Sequence, residues 1–181
     1  GEDGASHQSI EDIALMRVLP GMTILVPCDP FETRKAVFAA ASLDGPVYIR
    51  VARPIVEVIT NEDSTFTIGK ANIMRKPGDV CIVATGLMVK EALVAAERLS
   101  LNGIKAGVIN MHTIKPIDAE LILEMAFQCR AMVTAEEHSI IGGLGSAVAE
   151  VLVGKSNIKF ARVGIQDKFG RSGKPEDLFK A

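Results

Sequence analysis

Four groups of residues have types and spacings that could do chemistry. Glu136-Glu137-His138 places two carboxylates and an imidazole in succession, a set able to do acid–base work or to bind a metal with one more ligand. No His-x-x-x-His pair and no third clustered ligand accompanies them, so a surface loop or a subunit contact is an equal reading. Arg50 and Arg53 flank Val51-Ala52 at a predicted strand end. A guanidinium there is suited to grip a phosphate bidentately, although solvated or ion-paired arginines are the common case. His112 follows another predicted strand without an evident partner and reads as a structural histidine. The fourth group is the opening turn, Gly1-Glu2-Asp3-Gly4, with His7-Gln8 close behind it.

Two glycine patterns invite a phosphate reading. Ala149 to Ser156 fits a loose P-loop, but the match begins inside a predicted helix that Gly154 stops. A P-loop needs a strand before it and a helix after it, so this is a helix end. Gly142-Gly143-Leu144-Gly145-Ser146 lies between a strand and a helix, and reads as a structural turn or a close backbone approach to an anion. Without Gly-x-Gly-x-x-Gly and a spaced acid, the dinucleotide fingerprint fails.

These residues must be carried by alternating strands and helices. Ser9-Ile10-Glu11-Asp12 resembles a capping box before a helical run that Pro20-Gly21 stops. Strand Thr23 to Val26, a helix opened by Asp29-Pro30 and running to about Leu43, and strand Val47 to Ala52 form a partial βαβ unit. Periodicity fades from Arg53 to Ser64, which marks a linker. We expect one domain over 1–60 and another over 66–181. Beyond the linker, strands at Val80 to Ala84, Ala106 to Met111, Met132 to Ala135 and Phe160 to Ile165 alternate with helices at Val89 to Leu101, Asp118 to Cys129 and Gly145 to Leu152. Continuous Val, Ile and Ala strands are buried on both faces. The fold class is therefore α/β, a three-layer αβα sandwich with a mostly parallel sheet.

The 181 residues are 48% hydrophobic, enough to bury a core. A net charge of −2 and an absence of Trp argue against nucleic acid. No apolar run is long enough to span a membrane, and the polar start is unlike a signal peptide. Three scattered cysteines point away from disulfides and toward a reducing, cytoplasmic compartment.

The opening Gly1-Glu2-Asp3-Gly4-x-x-His7-Gln8, with Ile10-Glu11-Asp12-x-Ala14-Leu15-x-Arg17 and Pro20, resembles the end of the pyrimidine-binding domain of transketolase. The resemblance runs in register through Pro27-x-Asp29 and Gly45-Pro46 to Arg53. Downstream, Ala84-Thr85-Gly86, Lys115-Pro116-Ile117-Asp118, Glu136-Glu137-His138 and Gly142 to Ser146 resemble the transketolase C-terminal domain. That stretch is closer to deoxyxylulose-phosphate synthase and split transketolases than to long single-chain ones. Glu2 and Ile10-Glu11-Asp12 favour transketolase over the synthase.

The resemblance implies transfer of a two-carbon ketol unit between phosphosugars by thiamine diphosphate with Mg. It implies that Asp3 meets a donor-sugar hydroxyl, that His7 contacts the sugar phosphate or a nearby hydroxyl, and that Arg53 binds the phosphate. No catalytic, cofactor-binding or metal residue is assigned within the chain. The family's Gly-Asp-Gly…Asn motif is absent from this sequence, as is the glutamate-bearing segment that activates the cofactor. The chain alone is therefore expected neither to hold the cofactor nor to turn over. It would be completed by an N-terminal half or subunit within a homo-oligomer, a dimer being the family pattern. Ala52 stands where long transketolases have Ser, so local phosphate contacts should differ. A deoxyxylulose-phosphate synthase part and a non-catalytic dimerisation or binding domain are the alternatives.

Overall fold

The structure, a computed structural model, describes residues 8–53 and 55–173. Asp3 and His7 lie outside the described residues. A short helix, α1 (Asp12–Arg17), precedes β1 (Thr23–Leu25), α2 (Pro30–Ala41) and β2 (Val47–Ile49). Then come β3 (Asn72–Arg75), β4 (Val80–Ala84), α3 (Met88–Leu101), β5 (Ala106–Asn110) and β6 (Thr113–Lys115). Helix α4 (Ala119–Gln128), β7 (Ala131–Ser139), α5 (Leu144–Leu152) and β8 (Lys159–Ile165) complete the order.

Five strands form one sheet in the order β3-β5-β4-β7-β8, parallel except for β3 at its edge. The four strands expected in one sheet are all in it. Successive residues of β4 feed opposite cores, which is why its sequence is continuously apolar. Cys81 and Val83 join Ile122, Met125, Val148 and Leu152 from α4 and α5, whereas Ile82 and Ala84 join Val89, Ala92 and Ala96 from α3. Helices thus cover both faces, giving the αβα sandwich. A second, three-stranded sheet has the order β2-β1-β6. In it β1 and β2 pair in parallel across α2, the expected βαβ unit, and β6 pairs antiparallel to β1. The 113–115 segment therefore crosses back onto the leading unit, a pairing that three residues of Thr-Ile-Lys do not announce.

Aspartates start two helices, and for Asp29 its sequence position suggested it. The Asp29 carboxylate accepts the Glu32 N–H at the start of α2, and that of Asp118 accepts the Leu121 N–H at the start of α4. The expected cap of the first helix is corrected. Helix α1 begins at Asp12 with Glu11 at the cap position and no side-chain cap, because the Glu11 carboxylate turns back to the Ile10 N–H. The placement of Glu136-Glu137-His138 beyond a strand is also corrected. Strand β7 continues through them to Ser139, where it still pairs with Ile165 of the longer β8 after an irregularity. Gly154, at φ +71°, follows the end of α5, consistent with a helix stop at the false P-loop.

Candidate functional site

The described polar groups concentrate on the seam between the leading unit and the larger sheet, around the end of β2 and the second half of β7. Arg50 follows β2, and its own N–H extends the strand ladder to the Leu25 carbonyl at 2.9 Å. Its guanidinium is only 15% exposed and makes four hydrogen bonds. Nε donates to Asp12 Oδ2 at 3.1 Å and Nη1 to Glu137 Oε2 at 3.3 Å. Nη2 donates to two main-chain carbonyls, Ser9 at 2.8 Å and Glu137 at 3.0 Å. The Tyr48 hydroxyl donates to the same Asp12 oxygen at 2.7 Å, and burial together with that carboxylate pushes the phenol up to about 12. The Arg50 Nε and Tyr48 bonds both fall on Asp12 Oδ2, whereas Asp12 Oδ1 is buried without a hydrogen-bond partner.

Glu136 and His138 extend the seam on the side of β7 facing α5. Burial pushes the Glu136 carboxyl above the usual range, against the pull of the N–H groups of Gly145 at 2.8 Å and Leu144 at 2.6 Å. Those are orphan donors at the start of α5, where a carboxylate also complements the helix dipole. His138 accepts the Ala14 N–H at Nε2, 3.3 Å away, which puts the ring proton on Nδ1 facing the Ser139 carbonyl at 2.7 Å. Gly143 is required here by space, since an added Cβ would collide with the Glu136 carboxylate and come within 2.6 Å of His138 Nδ1. The Gly142 to Ser146 turn is therefore a close approach of backbone to a buried acid, and the seam acid and imidazole are committed to holding helices.

Several other buried titratable groups are held by their surroundings. Burial opposes ionisation of Asp29, yet N–H donors from Glu32, Ile59 and Thr60 and the Thr60 hydroxyl hold its carboxyl below the usual range. Burial raises Glu32, whose carboxylate accepts from the Cys28 N–H and Asn110 Nδ2. His112 is buried and stacked on Phe66 at 4.2 Å, and burial lowers its ring to about 4. Its Nδ1 lies 3.0 Å from the Thr113 hydroxyl oxygen, whereas Nε2 is buried without a hydrogen-bond partner. Cys28, Cys81 and Cys129 are free and buried, and burial raises each thiol, so none presents a ready thiolate.

Of the three residues that the resemblance assigns to substrate, Arg53 is described. It is exposed on the segment leaving β2, three residues after Arg50. The seam network itself was not legible in sequence. Arg50 and Glu137 were both singled out, but they stand 87 residues apart and nothing in the sequence pairs them. A magnesium diphosphate needs clustered oxygen ligands. Among the described residues no three His, Cys, Asp or Glu side chains converge on a possible metal position. Among the described residues no helix is long and apolar enough to cross a membrane.

Comparison with known proteins accounts for both units. Residues 1–58 match the pyrimidine-binding domain of transketolase, and residues 69–181 match the transketolase C-terminal domain. A putative transketolase C-terminal section from Methanocaldococcus jannaschii is 49% identical over 183 residues, covering 99% of this chain and 57% of that protein. The 6-deoxy-6-sulfo-D-fructose transketolase subunit SqwH from a Clostridium species is 48% identical, covering 94% of this chain and 53% of that protein. A solved split-gene transketolase, described as an inactive beta4 tetramer, superposes with a TM-score of 0.94 at 50% identity, covering 98% of this chain and 58% of that one. The chain spans somewhat more than half the length of these relatives. With the C-terminal domain match over most of its length, the same αβα sandwich, and a leading unit that matches the pyrimidine-binding domain, the chain belongs to the transketolase family.

Proposed function

We propose that this chain supplies the closing part of the pyrimidine-binding domain, 1–60, and the C-terminal domain, 66–181, of a transketolase that moves a two-carbon ketol unit between phosphosugars. The carrying observation is the joint match of both domains on one chain, with Arg53 exposed on the segment that leaves β2. Thiamine diphosphate and magnesium belong to the complete enzyme. They are held by cofactor-binding domains from an N-terminal half or subunit, within a homo-oligomer that is a dimer or larger. A split-gene relative described as an inactive tetramer supports a subunit that needs completion. Three free, buried cysteines support a reducing, cytoplasmic setting.

In this reading Arg53 grips the substrate phosphate, Asp3 meets a donor-sugar hydroxyl, and His7 contacts the phosphate or a nearby hydroxyl. Binding energy from the remote phosphate then positions the reacting carbon. The test is Arg53→Ala in the enzyme completed with its cofactor-binding half. KM for a phosphorylated ketose donor should rise by roughly 100-fold, as loss of a charge-assisted contact implies, with little change for an unphosphorylated donor. Equal effects on both donors would assign Arg53 to structure.

A further inference from the structure

We infer that a cavity at the start of β5, in the larger sheet, is a binding site for a compact polyanion of the triphosphate class, independent of the phosphosugar reading. The cavity has a volume of about 360 Å³ and is lined by Arg75, Lys76 and Lys105 together with Pro77, Ser100 and Ile104. That volume suits a small ligand. No acidic residue lines it, so its wall carries three positive charges and no counter-charge. The side chains of Arg75, Lys76 and Lys105 make no hydrogen bond or ion pair among the described residues.

The fold brings these cations together from separate parts of the chain. Strand β3 runs antiparallel to β5, so Arg75 at its end comes to the start of β5, which Lys105 precedes. The pairing slips between Ile73 and Arg75, and a bulge of that kind re-aims a side chain. The 76–79 turn is pressed onto 105–107. A Cβ on Gly107 would overlap the Pro77 backbone, and one on Gly78 would lie 2.6 Å from Lys105 Cβ. The Lys105 carbonyl accepts the Asp79 N–H at 2.7 Å, and the Lys105 N–H donates to Asp79 Oδ2 at 3.0 Å. The backbone under Lys76 and Lys105 is thus fixed before a ligand arrives, which lowers the ordering cost of binding.

The end of α3 accounts for one of the three cations. A helix C-terminus favours positive charge, and Lys105 stands four residues past Leu101. Carbonyls at that end are nevertheless satisfied locally. Arg98 accepts from Asn102 Nδ2, Leu99 from the Asn102 and Ile104 N–H groups, and Ser100 from the Gly103 N–H. Arg75 and Lys76 belong to the edge strand and its turn. The acid of that turn, Asp79, is engaged by the Lys105 N–H and faces Arg130 at 3.8 Å. Like charges gathered without a counter-charge repel, and a bound polyanion replaces that repulsion with charge-assisted hydrogen bonds. A triphosphate, with about four negative charges at neutral pH, matches three cations, whereas a single phosphate with about two does not.

The test is titration calorimetry of the chain with magnesium-free tripolyphosphate and, separately, with inorganic phosphate, in about 0.1 M salt. Tripolyphosphate should bind once per chain with a Kd of roughly 100 μM or tighter, and inorganic phosphate at least about 30-fold more weakly. Arg75→Gln and Lys105→Gln should each weaken tripolyphosphate by about 10-fold, as loss of a charge-assisted contact implies, while Lys105→Arg should stay within about 3-fold of wild type. If Arg75→Gln does not fold, Lys76→Gln removes an exposed charge from the same wall and should show the same loss. Two controls remove a positive charge elsewhere: Lys159→Gln on β8, at the opposite edge of the sheet, and Arg53→Ala. Each should change binding by less than about 2-fold. Thiamine diphosphate with magnesium, whose charges nearly cancel, should bind at least about 30-fold more weakly than tripolyphosphate. No binding of tripolyphosphate, or equal binding of inorganic phosphate, would overturn the inference. Losses in Lys159→Gln or Arg53→Ala as large as those in Arg75→Gln and Lys105→Gln would overturn it as well, by showing diffuse charge or a site elsewhere.

Discussion

Gly143→Ala is the sharpest probe of the seam. The added methyl would collide with the Glu136 carboxylate and lie 2.6 Å from His138 Nδ1. Neither neighbour has slack. Glu136 is held by two N–H groups at the start of α5, and His138 is fully buried between Ala14 and Ser139. Overpacking of this kind costs about 1–3 kcal/mol. Pushing the carboxylate off the Leu144 N–H leaves a buried donor unpaired, for a further ~1–3 kcal/mol. A total near 3–4 kcal/mol should lower the urea midpoint by about 1.5–2 M, taking a slope of about 2 kcal/mol/M. The assay is urea unfolding of the chain followed by circular dichroism, for wild type, Gly143→Ala, Glu136→Ala and the double variant. Removing the carboxylate makes room for the methyl, so the two substitutions should couple by roughly 2 kcal/mol. A Gly143→Ala cost below about 0.5 kcal/mol, or strictly additive effects, would refute the steric reasoning.

Two other predictions concern titration and the cofactor. His112 titrates near 4 in the folded chain against an ordinary value near 6.5, so the unfolded state binds the extra proton first. Stability from its neutral ring is complete above pH 6.5 and is lost as pH falls toward 4, by about 3 kcal/mol. His112→Phe should remove that part of the acid slope in unfolding free energy measured from pH 7 to 4, whereas curves parallel to wild type would place the acid sensitivity elsewhere. Titration calorimetry of the chain alone with thiamine diphosphate and magnesium should give no binding in the micromolar range, and micromolar or tighter binding would show a cofactor site in this chain.

Periodicity and punctuation carry the αβα sandwich because each of its causes is local. Continuous apolar runs such as Val80 to Ala84 mark strands buried on both faces, and Asp29-Pro30 and Asp118 mark helix starts through their own carboxylates. Two short strands lack such a signal. The three residues of β6 and the four of β3 are strands because β1 and β5 offer them edges, which depends on the fold and not on their own sequence. The same limit governs the site. Arg50, Glu136 and His138 are chemically conspicuous, but their partners Asp12, Leu144, Gly145 and Ala14 are ordinary in sequence or far away in it. An acid beside glycines reads equally as catalyst or helix cap until the helix is seen to start on it. Asp3 and His7, the residues the opening motif puts forward most clearly, lie outside the described residues.

The most direct measurement is ketol transfer as this chain is titrated into a fixed amount of its cofactor-binding half, with thiamine diphosphate, magnesium, a ketose phosphate donor and an aldose phosphate acceptor. Neither component should turn over alone, and activity should rise with added chain and saturate at one chain per cofactor-binding half. Ketol transfer by the chain alone, or no activity at any ratio of two halves that demonstrably associate, would contradict the account.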